Sequence, residues 1–176
     1  ELNLRNFPDS HGLVHGDIRE SKDKIPPHEI LCAGFPCQPF SKSGGQLGMR
    51  DKTRGTLFHE IVEVLEKHRQ RYVILENVGN LERHDNGRTW KIVKASLSRL
   101  GYNVRGTEHI SSGGHGLISP HHLGFPHTRG RFFIVASLDN LPEDPFPPRN
   151  QPRALTLKRI VRDNCELSKD DKRETA

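Results

Sequence analysis

The stretch ILCAGFPCQPFS at residues 30–41 joins a short apolar run to a cysteine that lies between two prolines. The apolar residues 30–33 are typical of a buried strand, so Cys37 should lie on a loop just past the strand's carboxyl end. Ligands and reacting groups in open α/β sheets gather at such strand ends. Pro36 and Pro39 fix the backbone φ on either side of the thiol, so little chain entropy remains to be lost when the sulfur is aimed. Cys37 is therefore the candidate nucleophile.

The rest of the chain alternates predicted helices with predicted strands. Apolar residues at helical spacing predict one helix that opens at Leu57 and a second that starts near Trp90 and ends at Gly101. A short helix is expected between an N-cap at Ser119 and a last residue near Gly124. Strands are expected at 28–33, 72–75, 103–110 and 131–136. This alternation indicates an α/β sheet rather than an all-α or all-β domain.

Length and charge limit the function classes. The 176 residues suit one domain with its own core, and no segment approaches the roughly 20 apolar residues of a membrane-spanning helix. The net charge of +5 is compatible with a polyanionic partner and equally with an incidental basic balance. Four cations, at Lys42, Arg50, Lys52 and Arg54, crowd the loop after Cys37, where they would suit a phosphate backbone.

Cysteine and histidine usage bears on redox setting and metals. Cys32, Cys37 and Cys165 form an odd set without the spacing of a disulfide framework, which favours a reducing, intracellular setting. Five of the eleven histidines lie between 109 and 127, yet no Cys-x-x-Cys or His-Glu-x-x-His pattern supports zinc. No metal is therefore expected.

Polar side chains mark the ends of three predicted strands. Cys37 follows the first strand, Glu76 and Asn77 follow the second, and Arg129 with Arg131 opens the last. Because the carboxyl ends of parallel strands share one edge of a sheet, these groups could converge there. Taken singly, each has an ordinary structural explanation: a buried cysteine, a helix-capping carboxylate and a surface arginine pair.

Taken together, these features resemble the catalytic region of DNA cytosine-5 methyltransferases over about residues 1–137. The prolyl-cysteinyl-glutamine signature stands at 36–38, and a Gly-Thr-Leu-Phe element opens a helix at 55–58. Glu-Asn-Val stands at 76–78, and Gly-Phe-Pro followed by Arg-x-Arg stands at 124–131. The order and spacing of the elements also agree with the family pattern.

The resemblance implies methyl transfer from S-adenosylmethionine to C5 of cytosine in double-stranded DNA. Cys37 would add to C6 as a thiolate, which requires a lowered pKa or removal of the proton during attack. Glu76 would protonate N3, and burial would help the carboxyl to carry a proton at neutral pH. Arg131 would contact the cytosine O2, and Arg129 would help to position the site.

The resemblance also implies binding residues and a moving loop. The cofactor would contact Asp17, Ile18, Pro36 and Leu57, and the substrate would contact Gln38, Ser41 and Asn77. The target base would have to leave the duplex, and the loop 41–55 would close over it.

The implied fold is a Rossmann-like S-adenosylmethionine-dependent methyltransferase fold with three layers, α/β/α, truncated at its N-terminal cofactor-binding strands. No Phe-x-Gly-x-Gly loop precedes Asp17, so the chain is expected to start partway into the domain and to bind the cofactor weakly or not at all. A complementary chain could supply the missing motif. Residues 1–140 would form the partial catalytic domain, and 141–176 a linker and the start of the target-recognition region. His127 stands where the family usually has glutamine.

Several functions stay open beside a DNA methyltransferase of a restriction–modification or epigenetic setting. An RNA cytosine-5 methyltransferase would share the same motifs. A non-catalytic remnant, or one subunit of a split enzyme, would bind nucleic acid without turnover. A cysteine hydrolase could pair Cys37 with His59 or His127, although no other motif supports acyl transfer.

Overall fold

The computed structural model describes residues 16–37, 56–106, 116–142 and 144–146. The strands within these ranges are β1 (Ile30–Gly34), β2 (Tyr72–Val78), β3 (Asn103–Arg105), β4 (Leu117–Ile118) and β5 (Arg131–Ser137). The helices are α1 (Ile18–Ser21), α2 (Leu57–His68) and α3 (Arg88–Arg99), with 3-10 turns at Lys22–Lys24 and Pro120–Leu123.

The strands form one mixed sheet in the order β1-β2-β5-β3, and β4 pairs with β5 on the same side as β3. β1 and β2 are parallel, with Gly34 opposite Glu76. β5 runs antiparallel to β2, with Arg131 opposite Val78. The carboxyl ends of β1 and β2 therefore meet the amino end of β5 at one edge, which we call the carboxyl edge.

Both long helices are bounded by residues that favour the start or the end of a helix. The Thr56 hydroxyl accepts a hydrogen bond from the His59 N–H at 3.2 Å and caps α2, which ends at Arg69 in the left-handed conformation. α3 starts after Gly87 and is followed by Gly101, both with positive φ. Glycine adopts such φ values without the steric cost that a side chain would add.

The core lies between the helices and one face of the sheet. Val73 and Leu75 of β2 and Phe132 and Ile134 of β5 are fully buried there. Successive crossovers from β1 to β2 to β3 advance in one direction across the sheet, and right-handed connections then place α2 and α3 on the same face.

The opposite face of the sheet is exposed. Ile30 on β1 is 54% exposed, and Ile74 and Val78 on β2 are 39% and 43% exposed. The described residues thus supply two of the three predicted layers. None of the helices in this part of the chain is long and apolar enough to cross a membrane.

The α/β class, both long helices and the short helix between Ser119 and Gly124 are confirmed. The strand predicted at 28–33 occupies Ile30–Gly34. The strand predicted at 72–75 continues to Val78 because β5 pairs with its whole length, so Glu76 and Asn77 lie within the strand and not after it. The strand predicted at 103–110 ends at Arg105, and 107–115 lie outside the described residues, as do 41–55 and 147–176. The domain boundary at 140 stays a prediction.

Ion pairs connect the 3-10 turn at Lys22–Lys24 to α2. Lys22 Nζ donates to the buried carboxylate of Glu60 at 2.7 Å and also to Glu63. These bonds, that to Glu60 first, raise the pKa of Lys22. Lys67 of α2 pairs with Asp23 at 2.8 Å. The pairs hold α1, and with it Asp17 and Ile18, beside α2.

We expect Lys22→Met to destabilise the fold, because it leaves the Glu60 carboxylate buried without its cation. The free energy of unfolding should fall by about 1–3 kcal/mol, the usual cost of an unsatisfied buried acceptor. Urea unfolding followed by circular dichroism measures the loss. Lys67→Met removes an exposed pair as a matched control and should move the midpoint little. Equal losses in the two variants would contradict this account.

Candidate active site

A carboxylate and a guanidinium from neighbouring strands meet at the carboxyl edge. Arg131 Nε lies 2.7 Å from Glu76 Oε1 in an ion pair, and Arg131 Nη1 donates a hydrogen bond to the Gly130 carbonyl at 2.9 Å. The two side chains are 39% and 25% exposed. Glu76 is thus only partly buried in the free protein, because its side chain points to the face of the sheet opposite the helices, and the burial that would help it to carry a proton stays a prediction.

Gly34 makes room for this carboxylate at the end of β1. A Cβ atom at Gly34 would lie 3.3 Å from Glu76 Oε2, closer than most real contacts of a Cβ atom. Glycine therefore lets the acidic side chain lie against the backbone that leads to Cys37. The motif search did not assign Gly34 a role, although its place directly before Phe-Pro-Cys was a signal that could have found it.

Asn77 points to the opposite face and connects the two parallel strands. Its side chain is 2% exposed, and its Nδ2 donates to the Phe35 carbonyl at 2.7 Å. Its Oδ1 accepts from the Val78 N–H at 2.8 Å. The Phe35 ring packs against Phe58 of α2, with 5.1 Å between ring centroids. The predicted contact of Asn77 with substrate stays a prediction, and both ends of its amide are bonded within the protein.

Cys37 lies two residues after Phe35, whose carbonyl oxygen accepts the hydrogen bond from Asn77. Its side chain is half-buried and packs against the apolar core. This burial raises the pKa of the Cys37 thiol above its ordinary value. A lowered pKa, the first of the two routes to the thiolate, is therefore not found. Removal of the proton during attack, the second route, stays a prediction.

Arg131, the second arginine of the Arg-x-Arg pair, pairs with Glu76 through its guanidinium. Arg129, the first, makes its contact through its backbone N–H. Arg129 N–H donates to the buried Ser119 hydroxyl at 2.9 Å. Both arginines border an apolar hollow of about 300 Å³ on the uncovered side, lined by Ile118, Pro120, Leu123, Phe125, Arg129, Arg131 and Phe133. Sequence reasoning identified Ser119 only as a helix cap.

Two of the predicted cofactor-binding residues line a second cavity. Ile18 and Leu57 border a cavity of about 220 Å³, together with Gly34 and apolar side chains of β1 and α2. Asp17 caps α1 by accepting the Arg19 N–H at 2.9 Å. Pro36 does not line the cavity.

This cavity is smaller than the roughly 300–1,000 Å³ of ordinary ligand pockets, so it suits part of a cofactor, such as a planar base. Gln38 and Ser41 lie outside the described residues. Within the described ranges, no three or more His, Cys, Asp or Glu side chains form a group that could hold a metal ion.

Solved structures share this fold. The chain aligns with the Dnmt2 methyltransferase of S. pombe at a TM-score of 0.52 and 22% identity, covering 80% of this chain and 41% of that one. A DNMT2 mutant from Spodoptera frugiperda aligns at a TM-score of 0.51 and 22% identity, covering 85% and 42%. The fold is thus the α/β fold of methyltransferases.

Sequence comparison identifies the family. The model of the C-5 cytosine-specific DNA methylase family matches residues 4–176, and the chain belongs to this family. It is 41% identical over 133 residues to the type II methyltransferase M.MspI of Moraxella sp, covering 75% of this chain and 30% of that protein. It is 36% identical over 164 residues to M.HhaI of Haemophilus parahaemolyticus, covering 93% and 44%. The chain spans less than half the length of these relatives.

Alkylation by iodoacetamide tests the environment of Cys37. Because burial raises the pKa of this thiol, we expect its reaction rate to rise with pH through a midpoint above that of an ordinary exposed cysteine. Near neutral pH, Cys37 should react more slowly than the exposed Cys32 of the same molecule. Mass spectrometry of the two peptides gives both rates. Faster reaction at Cys37 than at Cys32 near neutral pH would contradict the described burial.

Proposed function

We propose that this chain carries the catalytic residues of a DNA cytosine-5 methyltransferase. Membership of the C-5 cytosine-specific DNA methylase family supports the activity and the substrate. The observation that carries the assignment of roles is the Glu76–Arg131 pair, which lies beside Gly34 at the end of the strand that leads to Cys37. A nucleophile, a proton donor and a cation thus belong to one edge of the sheet.

In this proposal Cys37 attacks C6 of a cytosine that has left the duplex. The Cys37 thiol gives its proton to water as the Sγ–C6 bond forms, the electron pair of the C5–C6 double bond moves to C4–C5, and the pair of C4–N3 moves to N3. Glu76 gives N3 a proton, so C5 becomes an enamine carbon that can take a methyl group. Loss of the C5 proton to water, release of the Cys37 thiolate and return of the N3 proton to Glu76 then restore the aromatic ring.

Arg131 would serve both the carboxyl group and the base. A guanidinium has five N–H donors in a fixed plane. Nε pairs with the Glu76 carboxylate and one Nη1 donor is used by the Gly130 carbonyl, which leaves the other Nη1 donor and both Nη2 donors for the cytosine O2. A base stacked over Glu76 would also exclude water from a carboxyl that is half-exposed in the free protein. Arg129 lines the same 300 Å³ cavity as Arg131 and would help to position the base beside it.

S-adenosylmethionine would supply the electrophilic methyl carbon. Ile18 and Leu57 would hold its flat base in the apolar cavity beside Gly34, with Asp17 and Pro36 near by. The described lining of that cavity offers no charged side chain for the amino-acid end of the cofactor. The described fit is therefore partial, and residues outside the described ranges would have to hold the amino-acid end of the cofactor.

Double-stranded DNA would be the nucleic-acid partner, in keeping with the net charge of +5. Among the described strands β1 is at the edge of the sheet, and with the exposed Ile30 and Ile74 it suits a complementary part of the methyltransferase, on this or another chain, because sheets with parallel strands are usually covered on both faces. The odd set of cysteines fits an intracellular setting.

Cys37→Ala should abolish methylation in a longer, active form of the protein, because no Sγ–C6 bond can form. Transfer of labelled methyl groups to DNA and, in parallel, to transfer RNA measures the loss. Cys165→Ala, at a cysteine that stands in none of the family elements, is the matched control and should keep its activity. Turnover retained by Cys37→Ala would remove the cysteine from the mechanism. Methyl transfer to RNA alone would favour the RNA enzyme, and DNA binding without turnover would favour a non-catalytic module.

Glu76→Gln should slow methyl transfer by about 10²-fold or more if Glu76 protonates N3. Single-turnover rates with DNA measure the chemical step. The matched control is Glu66→Gln, which breaks the Glu66–Arg99 ion pair of 2.9 Å between α2 and α3. An unchanged rate in Glu76→Gln would exclude it as the proton donor, and equal losses in the two variants would point to a structural effect.

A further inference from the structure

The residue after the proposed proton donor is buried on the other side of the sheet. Successive side chains of a strand point to opposite faces, so Glu76 faces the uncovered side and Asn77 faces the core. At 2% exposure, the Asn77 amide has no access to a ligand on the face where Glu76 and Arg131 meet. We therefore infer the role of Asn77 from its hydrogen bonds within the protein.

Both polar ends of the Asn77 side chain act on the two segments that form the site. Nδ2 holds the Phe35 carbonyl at 2.7 Å, beyond the end of β1. Oδ1 accepts the Val78 N–H at 2.8 Å, and Val78 lies opposite Arg131 in the register of β2 and β5. One amide thereby connects the segment that carries the thiol to the strand that carries the carboxylate.

The segment 35–37 lies past the last ladder residue of β1, so its direction must be set by other restraints. The Phe35 ring is buried against Phe58, and Pro36 fixes its own φ and limits the conformation of Phe35. The hydrogen bond from Asn77 adds a restraint on the carbonyl group between these two. Together they leave the chain little freedom before it reaches Cys37.

We propose that Asn77 is a positioning residue that sets the direction in which Cys37 leaves β1. The amide does not touch the substrate and acts through the Phe35 carbonyl. The inference rests on the proposed function in one respect only, that Cys37 is the nucleophile. The position of the thiol itself can be tested without any methyl transfer.

Asn77→Ser tests the proposal, because the shorter hydroxyl does not reach the Phe35 carbonyl and adds no charge. We expect alkylation of Cys37, relative to Cys32 in the same molecule, to increase by about fivefold, the factor that corresponds to one ordinary hydrogen bond. The pH midpoint of the Cys37 reaction should also fall, because a freed thiol is better hydrated. A purely structural contribution to stability would change both cysteines and leave the midpoint in place.

The matched control is Asn103→Ser, since Asn103 Nδ2 also donates to a backbone carbonyl, that of Asp139, at 2.9 Å and away from Cys37. Asn77→Thr, which also adds no charge, fills more of the buried volume and suits a strand, is the second variant if Asn77→Ser does not fold. An unchanged ratio of Cys37 to Cys32 alkylation would overturn the proposal, as would an equal change in Asn103→Ser. Because the readout is alkylation, a protein without methyltransferase activity would still answer the question.

Discussion

The parallel pairing of β1 with β2 is the constraint on which the site depends. It places Gly34 opposite Glu76 and brings the ends of both strands to one edge. A shift of one residue would turn Glu76 into the core and Asn77 out to solvent, because side chains alternate along a strand. The buried apolar residues Val73 and Leu75 prevent that shift, since it would also expose them. The packing of β2 against the helices thus determines which polar side chain lies beside Arg131.

The antiparallel strand β5 brings the Arg131 guanidinium to the carboxyl ends of β1 and β2. In a purely parallel sheet the first residue of that strand would lie at the opposite edge. Its first residue, Arg131, arrives beside the last residues of β2 because the strand runs in the opposite direction. The resulting pair with Glu76 is half-exposed, and exposed ion pairs add little to stability. Its value is geometric: it holds the carboxyl group on the face where a base would stack.

The two faces of the sheet have different roles. The covered face contains the core and the Asn77 amide that restrains the segment before Cys37. The uncovered face presents Glu76, Arg131 and exposed apolar side chains, and it borders the hollow near Arg129. The buried side therefore restrains the segment before Cys37, and in the proposed function the exposed side would receive the base.

The sequence by itself determined the α/β class, both long helices and the family, because apolar periodicity and the motif around Cys37 are local signals. It also placed Glu76 and Arg131 at strand ends, although β2 continues to Val78 because its length depends on pairing with β5. Only the tertiary structure decided that Arg131 and not Arg129 reaches Glu76, that Gly34 makes room for the carboxylate, and that Asn77 is bonded to the Phe35 carbonyl. These contacts join residues that are distant in the chain, so their geometry follows from strand register and burial, which no local pattern encodes.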